Sequence, residues 1–233
     1  MLASLRALLF VMLAAVITAP PVANAQDWHN LLANGLDEWE VVGNGIWTLR
    51  SDGVVMGYSK FDTKFLEDQG DKLTYQHFQD WHAQQSWLYT KEEFEEFDLQ
   101  IDYRVLSPGN SGISIRDSSR GQYAVTIPPD FKRTPAHIGY EIQINGSGPS
   151  RNPTGSLYTQ VVAPDGPQKD GEWNTLLIES RKNSIRVTLN GQQVSEHPGV
   201  EGRPTKGPIG LQLHDQHNVV MFRNIRIREL GAR

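Results

Sequence analysis

The chain has 233 residues, no cysteine, 22 basic against 27 acidic side chains, and a formal net charge of −5. That length, with 38% hydrophobic residues, supports one substantial core and a single domain. The acidic balance and the lack of any Lys/Arg run exclude nucleic acid or an anionic membrane as an electrostatic partner, because both need a basic footprint.

Residues 1–25 read as a signal peptide. Arg6 is their only charge, Leu8 to Ile17 form an apolar core, and Ala23-Asn24-Ala25 fits the small-x-small cleavage pattern. Cleavage near Ala25 leaves one domain over residues 26–233, exported to a periplasm or secreted. The apolar core is shorter than the roughly 20 residues a membrane span requires. With no cysteine, neither a lipoprotein anchor nor a disulfide can form, so burial alone must hold the fold.

Beyond the signal, the polar stretch Tyr58 to Gln85 shows no alternation. Thr74, Phe78 and Trp81 share a helical spacing that predicts a short helix from about Lys72 to Gln85. The stretch reads either as a solvated surface insertion or as a wall over a binding face. Period-2 alternation then takes over. In Asp98 to Val105, Leu99, Ile101, Tyr103 and Val105 share one face, and Asp98, Gln100, Asp102 and Arg104 the other. Further strands are expected at 112–116, 140–144, 175–179, 184–189, 209–214 and 219–230. Asn190-Gly191 predicts a type I′ hairpin. A shift of the apolar frame from Val220 and Phe222 to Ile225 and Ile227 predicts a β-bulge near Arg223 and Asn224. Short strands without intervening helices indicate an all-β, two-sheet antiparallel jelly-roll sandwich.

Three strands carry polar groups opposite their apolar sides: Ser114 and Arg116 beside the isoleucines of 111–116, Glu141 and Gln143 in 140–144, and Gln212 and His214 in 210–214. If they share a sheet, a guanidinium, a carboxylate, two amides and an imidazole meet on one wall, the parts a polyol-handling site needs. The two-carboxylate pattern of an ordinary glycosidase is missing. Glu96-x-Asp98 is the nearest approach, and it reads as surface acid at a strand start.

The motifs WLYTKEEFEEFDLQIDYRV, NSGISIR, YEIQI, TGSLY, GEWN, LNG, GLQLH and FRNIRIREL follow Leu36-Asp37-Glu38-Trp39 in that order. In this series the chain, from about Leu31 to Leu230, resembles the 3-keto-disaccharide hydrolase domain family. The resemblance implies a concanavalin A-like fold and activity on sugars whose C3 hydroxyl has become a ketone. It maps the family's polar motif positions onto Arg116, Glu141, Gln143, Gln212 and His214, with Asp102 and Asn174 as neighbours. The chain departs from the family in its longer 58–85 segment and in Asn145, where Asp is common.

A 3-keto group acidifies the C2 proton and sets the C1 leaving group β to the resulting enolate. Catalysis is therefore expected from His214 or Glu141 as base and from Arg116, or a bound cation, at the enolate oxygen. Gln143, Gln212, Asp102 and Asn174 would bind the oxidised glycoside. No cofactor is required and no metal ligand is assigned. A divalent cation is the alternative, since His214-x-x-His217 with Asp215 offers nitrogen and oxygen donors. Residues three apart on a strand face opposite ways, so that set needs an intervening turn. The competing function is a non-catalytic, lectin-like carbohydrate-binding module using Trp81, Trp87, Tyr123 or Tyr158 as stacking platforms.

Overall fold

The computed structural model describes residues 27–106, 108–146 and 150–231; the expected signal segment and its cleavage point lie outside them. Two antiparallel sheets pack face to face. The larger contains β1 (His29–Asn30), β3 (Gly45–Leu49), β4 (Val55–Ser59), β6 (Phe97–Val105), β9 (Asn174–Arg181), β10 (Ser184–Leu189), β11 (Gln192–His197) and β13 (Val219–Glu229). Its order is β11-β10-β9-β6-β13-β4-β3, with β1 also paired to β13. The smaller sheet runs β2 (Trp39–Gly43), β5 (Ser86–Thr90), β12 (Ile209–Leu213), β7 (Asn110–Ile115), β8 (Tyr140–Asn145). No helix among the described residues is long and apolar enough to cross a membrane.

Alternation explains the core. Leu99, Ile101 and Tyr103 of β6 and Leu176 and Ile178 of β9 face inward, where they meet Ile113, Ile115, Ile142, Ile144 and Leu211 of the smaller sheet. Each such aliphatic side chain, removed from water, contributes about 1.5–3 kcal/mol. Asn190 and Gly191 both have positive φ, 49° and 84°, as the type I′ turn between β10 and β11 demands. The bulge also forms: the β13–β6 register shifts between Arg223 and Arg226, and Asn224 takes φ 51°. This extra residue swaps the frame, so that Phe222 and Ile225 are both buried.

Outside the sheets, the expected helix is α2 (Tyr75–His82), preceded by the single turn α1 (Lys64–Glu67). Thr74 caps α2: its Oγ1 accepts from the His77 N–H at 3.2 Å, and its own N–H donates to His77 Nδ1 at 3.3 Å. Trp81 is the residue of α2 that is buried. A third short helix, α3 (Pro135–Ile138), leads into β8.

The outward face of the larger sheet is a network of charges. Asp98 is 3% exposed and accepts from Arg181 and from Arg228. It is thus a buried structural anchor and not the surface acid that its position at a strand start suggests, because the two guanidinium groups cover it. Replacing Asp98 with Ala leaves two guanidinium groups without their acceptor and should lower stability by about 1.5–3 kcal/mol. The midpoint of urea unfolding measures this loss.

Candidate active site

The order β12-β7-β8 makes the three polar-faced strands neighbours, and the register fixes which side chains stand side by side. Ser114 pairs with both Gly210 and Glu141, and Gly112 pairs with Gln143. Tyr89 pairs with Gly210, and Trp87 with Gln212. Paired residues of an antiparallel sheet point to the same face, so aromatic rings occupy the β5 side of the outer face and polar groups the β8 side.

The segment between β7 and α3 covers the aromatic half. Asp117, fully buried, accepts from Tyr89 Oη at 2.8 Å and from the Gly121 N–H at 2.8 Å, which ties this segment down over Trp87 and Tyr89. The polar half remains open as a cavity of about 310 Å³. Glu141, Gln143, Gln212 and His214 all line it, together with Gln85, Asn110, His137, Asn145, Asn152 and Tyr158. Its volume falls at the lower end of the roughly 300–1,000 Å³ common for small-molecule sites. A second concavity, of about 360 Å³, lies beside β1 and gathers Glu38, Glu92 and Glu229 without a comparable set of amides.

Gly112 makes room for the central carboxylate. A Cβ at that position would stand 2.6 Å from Glu141 Oε1, so only glycine lets the side chain lie across the strand. Glu141 is 6% exposed, and burial pushes its carboxyl up to about 7, against the opposing pull of His214 and a hydrogen bond from Gln212. Gln143 Nε2 donates to Asn110 Oδ1 at 2.6 Å, and Gln212 Nε2 to Gln85 Oε1 at 3.3 Å. Gln212 Oε1 is buried without a hydrogen-bond partner and can accept from a ligand hydroxyl. His214 Nδ1 lies 3.3 Å from Asp215 Oδ2, and its side chain is 35% exposed.

Three expected site residues stand elsewhere. Arg116 follows the last residue of β7 with φ 59°, a left-handed conformation that ends the alternation. Its side chain crosses to the other sheet, where Nη2 donates to the Arg181 carbonyl at 2.8 Å. Gly207 and Gly139 pack against this backbone so closely that a Cβ on either would fall 2.6 Å from an Arg116 main-chain atom. Arg116 therefore does not join Glu141 and His214. Asp102 lies on β6 of the larger sheet. Its Oδ1 accepts from Thr175 Oγ1 at 2.7 Å and its Oδ2 from Asn224 Nδ2 at 2.7 Å, which pins the bulge. Asn174 holds the turn before β9, donating to the carbonyls of Lys169 and Glu172 and accepting from the Lys169 N–H.

The histidines of the 214–217 stretch also part company. A turn at 215–217 does intervene, but it carries His217 to His82 of α2, while His214 stays with Glu141. Of the aromatic platforms, Trp81 and Trp87 are buried, the Tyr123 ring lies under Arg133, and Tyr158 is the one that reaches the cavity. Gln85, Asn110, His137 and Asn152 were not singled out in the sequence. Asn110 heads the NSGISIR motif, the one signal that marks any of them.

Residues 27–228 match the 3-keto-alpha-glucoside-1,2-lyase-like domain. The chain belongs to that family. The lyase-like domain is similar in structure to two Parabacteroides distasonis proteins provisionally assigned as glycosyl hydrolases. One is 25% identical with a TM-score of 0.61, the alignment covering 88% of this chain and 100% of that one. The other is 20% identical with a TM-score of 0.59, covering 88% and 94%. Carbohydrate-binding module CBM66 of Bacillus subtilis, 13% identical over 82% of this chain and 96% of its own, shares the fold at a TM-score of 0.52. No curated protein sequence matches the chain.

In the lyase-like domain the raised Glu141 pKa has a consequence for stability. Between the ordinary 4.5 and the folded value of about 7, the folded chain binds more protons than the unfolded one. The contribution of Glu141 is therefore fully present below 4.5 and is lost as pH rises through about 7. Glu141→Gln should match the parent at about pH 4 and exceed its unfolding free energy by up to about 3 kcal/mol at about pH 8. Urea titrations at the two pH values check the crossover.

Proposed function

We propose that the protein is an exported enzyme that cleaves the glycosidic bond of 3-keto-glycosides and 3-keto-disaccharides by C2 proton abstraction, elimination at C1 and hydration. The observation that carries this reading is the content of the cavity. Glu141 is the one carboxylate among its described lining residues, is held near neutral pKa, and faces His214. A glycosidase working by paired carboxyl groups needs a second one about 5–9.5 Å away. An elimination needs one base, one acid and hydrogen-bond partners for the ring. The family's description as 3-keto-alpha-glucoside-1,2-lyase-like supports the same chemistry.

In the scheme, ionised Glu141 takes the C2 proton and the electron pair forms the enolate of the C3 ketone. The enolate collapses to a C1=C2 double bond as the C1–O bond breaks, and His214 gives its proton to the departing oxygen. Water then adds across the double bond, hydroxyl to C1 and proton to C2, completing hydrolysis. Gln143 and Gln212 hold the ring by its hydroxyls. His137, whose Nδ1 lies 2.8 Å from Thr134 Oγ1, replaces Arg116 as the donor to the enolate oxygen in the tautomer that carries its proton on Nε2. Export rests on the signal segment at 1–25, and a periplasmic or secreted location follows from it.

Incubation with a 3-keto disaccharide and with its unoxidised parent, in heavy-oxygen water, tests the reading. Mass spectrometry should find cleavage of the oxidised sugar alone, with solvent oxygen in the released 3-keto sugar. Glu141→Gln and His214→Ala should each lower turnover by at least about a hundredfold. Retention of both sugars without cleavage would instead indicate a binding module, and undiminished cleavage by both variants would refute the assigned acid and base.

The pH dependence gives a separate check. The base must be ionised, so kcat/KM should fall as pH drops below about 7, the value burial sets for Glu141. This acidic limb should vanish from the residual activity of Glu141→Gln.

A further inference from the structure

His82 at the end of α2 and Asp215 and His217 in the turn between β12 and β13 bring their ligand atoms within 4.8 Å of one another. Donors bound tetrahedrally to one ion at about 2.0–2.2 Å lie about 3.3–3.6 Å apart, so side-chain rotations that shift the donors by about 1 Å each close the set. From this geometry we infer that His82, Asp215 and His217 bind a divalent transition-metal ion of the Zn²⁺ class, which fastens the 58–85 insertion to the turn that follows His214.

The donors are brought together by contacts that do not use their ring nitrogens. The Gln216 N–H donates to the His82 carbonyl at 3.2 Å, joining the turn to the C-terminus of α2. The Gln216 side chain, 2% exposed, accepts from Ser59 Oγ and donates to Gln84 Oε1 at 3.2 Å. Phe61 and Trp81 stand edge-on to the His217 ring, at centroid distances of 5.3 and 6.4 Å, and the His82 and His217 rings are 4.7 Å apart. Two segments distant in sequence thus present two imidazoles and a carboxylate from a pinned scaffold. Asp215 Oδ1 accepts the His217 N–H at 2.8 Å and Oδ2 faces His214 Nδ1 at 3.3 Å. Each oxygen keeps a further lone pair for an ion.

The chemistry of the donors selects the ion. Two imidazoles with one carboxylate suit Zn²⁺, Co²⁺ or Fe²⁺, whereas Ca²⁺ and Mg²⁺ prefer oxygen-only shells. Three protein donors leave at least one position for water. The Asp215–His214 contact resembles the carboxylate–imidazole couplings that orient groups around metals. An ion on Asp215 would therefore steady the ring of His214. Ion binding by these three side chains needs neither a sugar nor the elimination chemistry of the cavity.

Calorimetric titration of the metal-stripped full chain with Zn²⁺, without any sugar, tests it. One equivalent should bind, and His82→Ala and His217→Ala should each weaken binding by at least about a hundredfold. His29→Ala, which removes an exposed histidine elsewhere, should change affinity by less than about twofold. Zn²⁺ should raise the melting temperature of the parent and not that of the two ligand variants. X-ray absorption of the Zn²⁺-loaded parent counts imidazoles directly and serves should a variant fail to fold. A shell containing two histidines supports the site. A shell with none, a lack of saturable binding, or equal loss in His29→Ala overturns it.

Discussion

The inner faces of the two sheets must be apolar to exclude water, and that requirement places the chemistry. On β7, β8 and β12, every residue that does not face the larger sheet turns to the outer face, because a strand has only two sides, and on the β8 side of that face lies the cavity. Packing Ile113, Ile142 and Leu211 against the β6–β9 layer therefore turns Glu141, Gln143 and Gln212 outward together. Loss of that apolar contact would remove the fold and scatter the site at once.

Charge is handled differently on the two outer faces. On the larger sheet Asp98 and Asp102 are met by arginines, and their role is to lock strands and a bulge in place. On the smaller sheet the carboxyl of Glu141 is met by an imidazole and an amide, and burial keeps it near neutrality. A guanidinium in the cavity would depress that pKa and weaken the base. The diversion of Arg116 to the Arg181 carbonyl is thus consistent with a carboxyl that exchanges protons near neutral pH.

The sandwich was legible wherever one strand face is buried and the other is not. Strands β6, β9, β10 and β13 follow their alternation closely, and the frame shift at Arg223 and Asn224 marks the bulge. Strand β5 shows no such pattern because all five of its residues are buried, the outer ones beneath the segment that follows β7. Glu141, Gln143, Gln212 and His214 were legible because alternation holds through β8 and β12. Alternation fails at Arg116, where the backbone turns left-handed, a change that periodicity cannot report. Asp102 and Asn174 lie in motifs of the same series as those of the site residues, yet their strands belong to the opposite sheet, and only pairing order reveals this. His82 joins His217 across a long insertion, through contacts that no local pattern encodes.

Strand β8 is the last of its sheet, and both Glu141 and Gln143 sit on it. Its outer backbone is nonetheless engaged. The Tyr158 N–H donates to the Glu141 carbonyl, the Gln143 N–H to the Ser156 carbonyl, and the Gly155 N–H to the Gln143 carbonyl, each at 2.9 Å. The TGSLY motif thus acts as a splint along what would otherwise be a fraying border. Amide-proton exchange at Gln143 is accordingly expected to be slow, as in the middle of a sheet, and the splint closes the border to pairing with another chain.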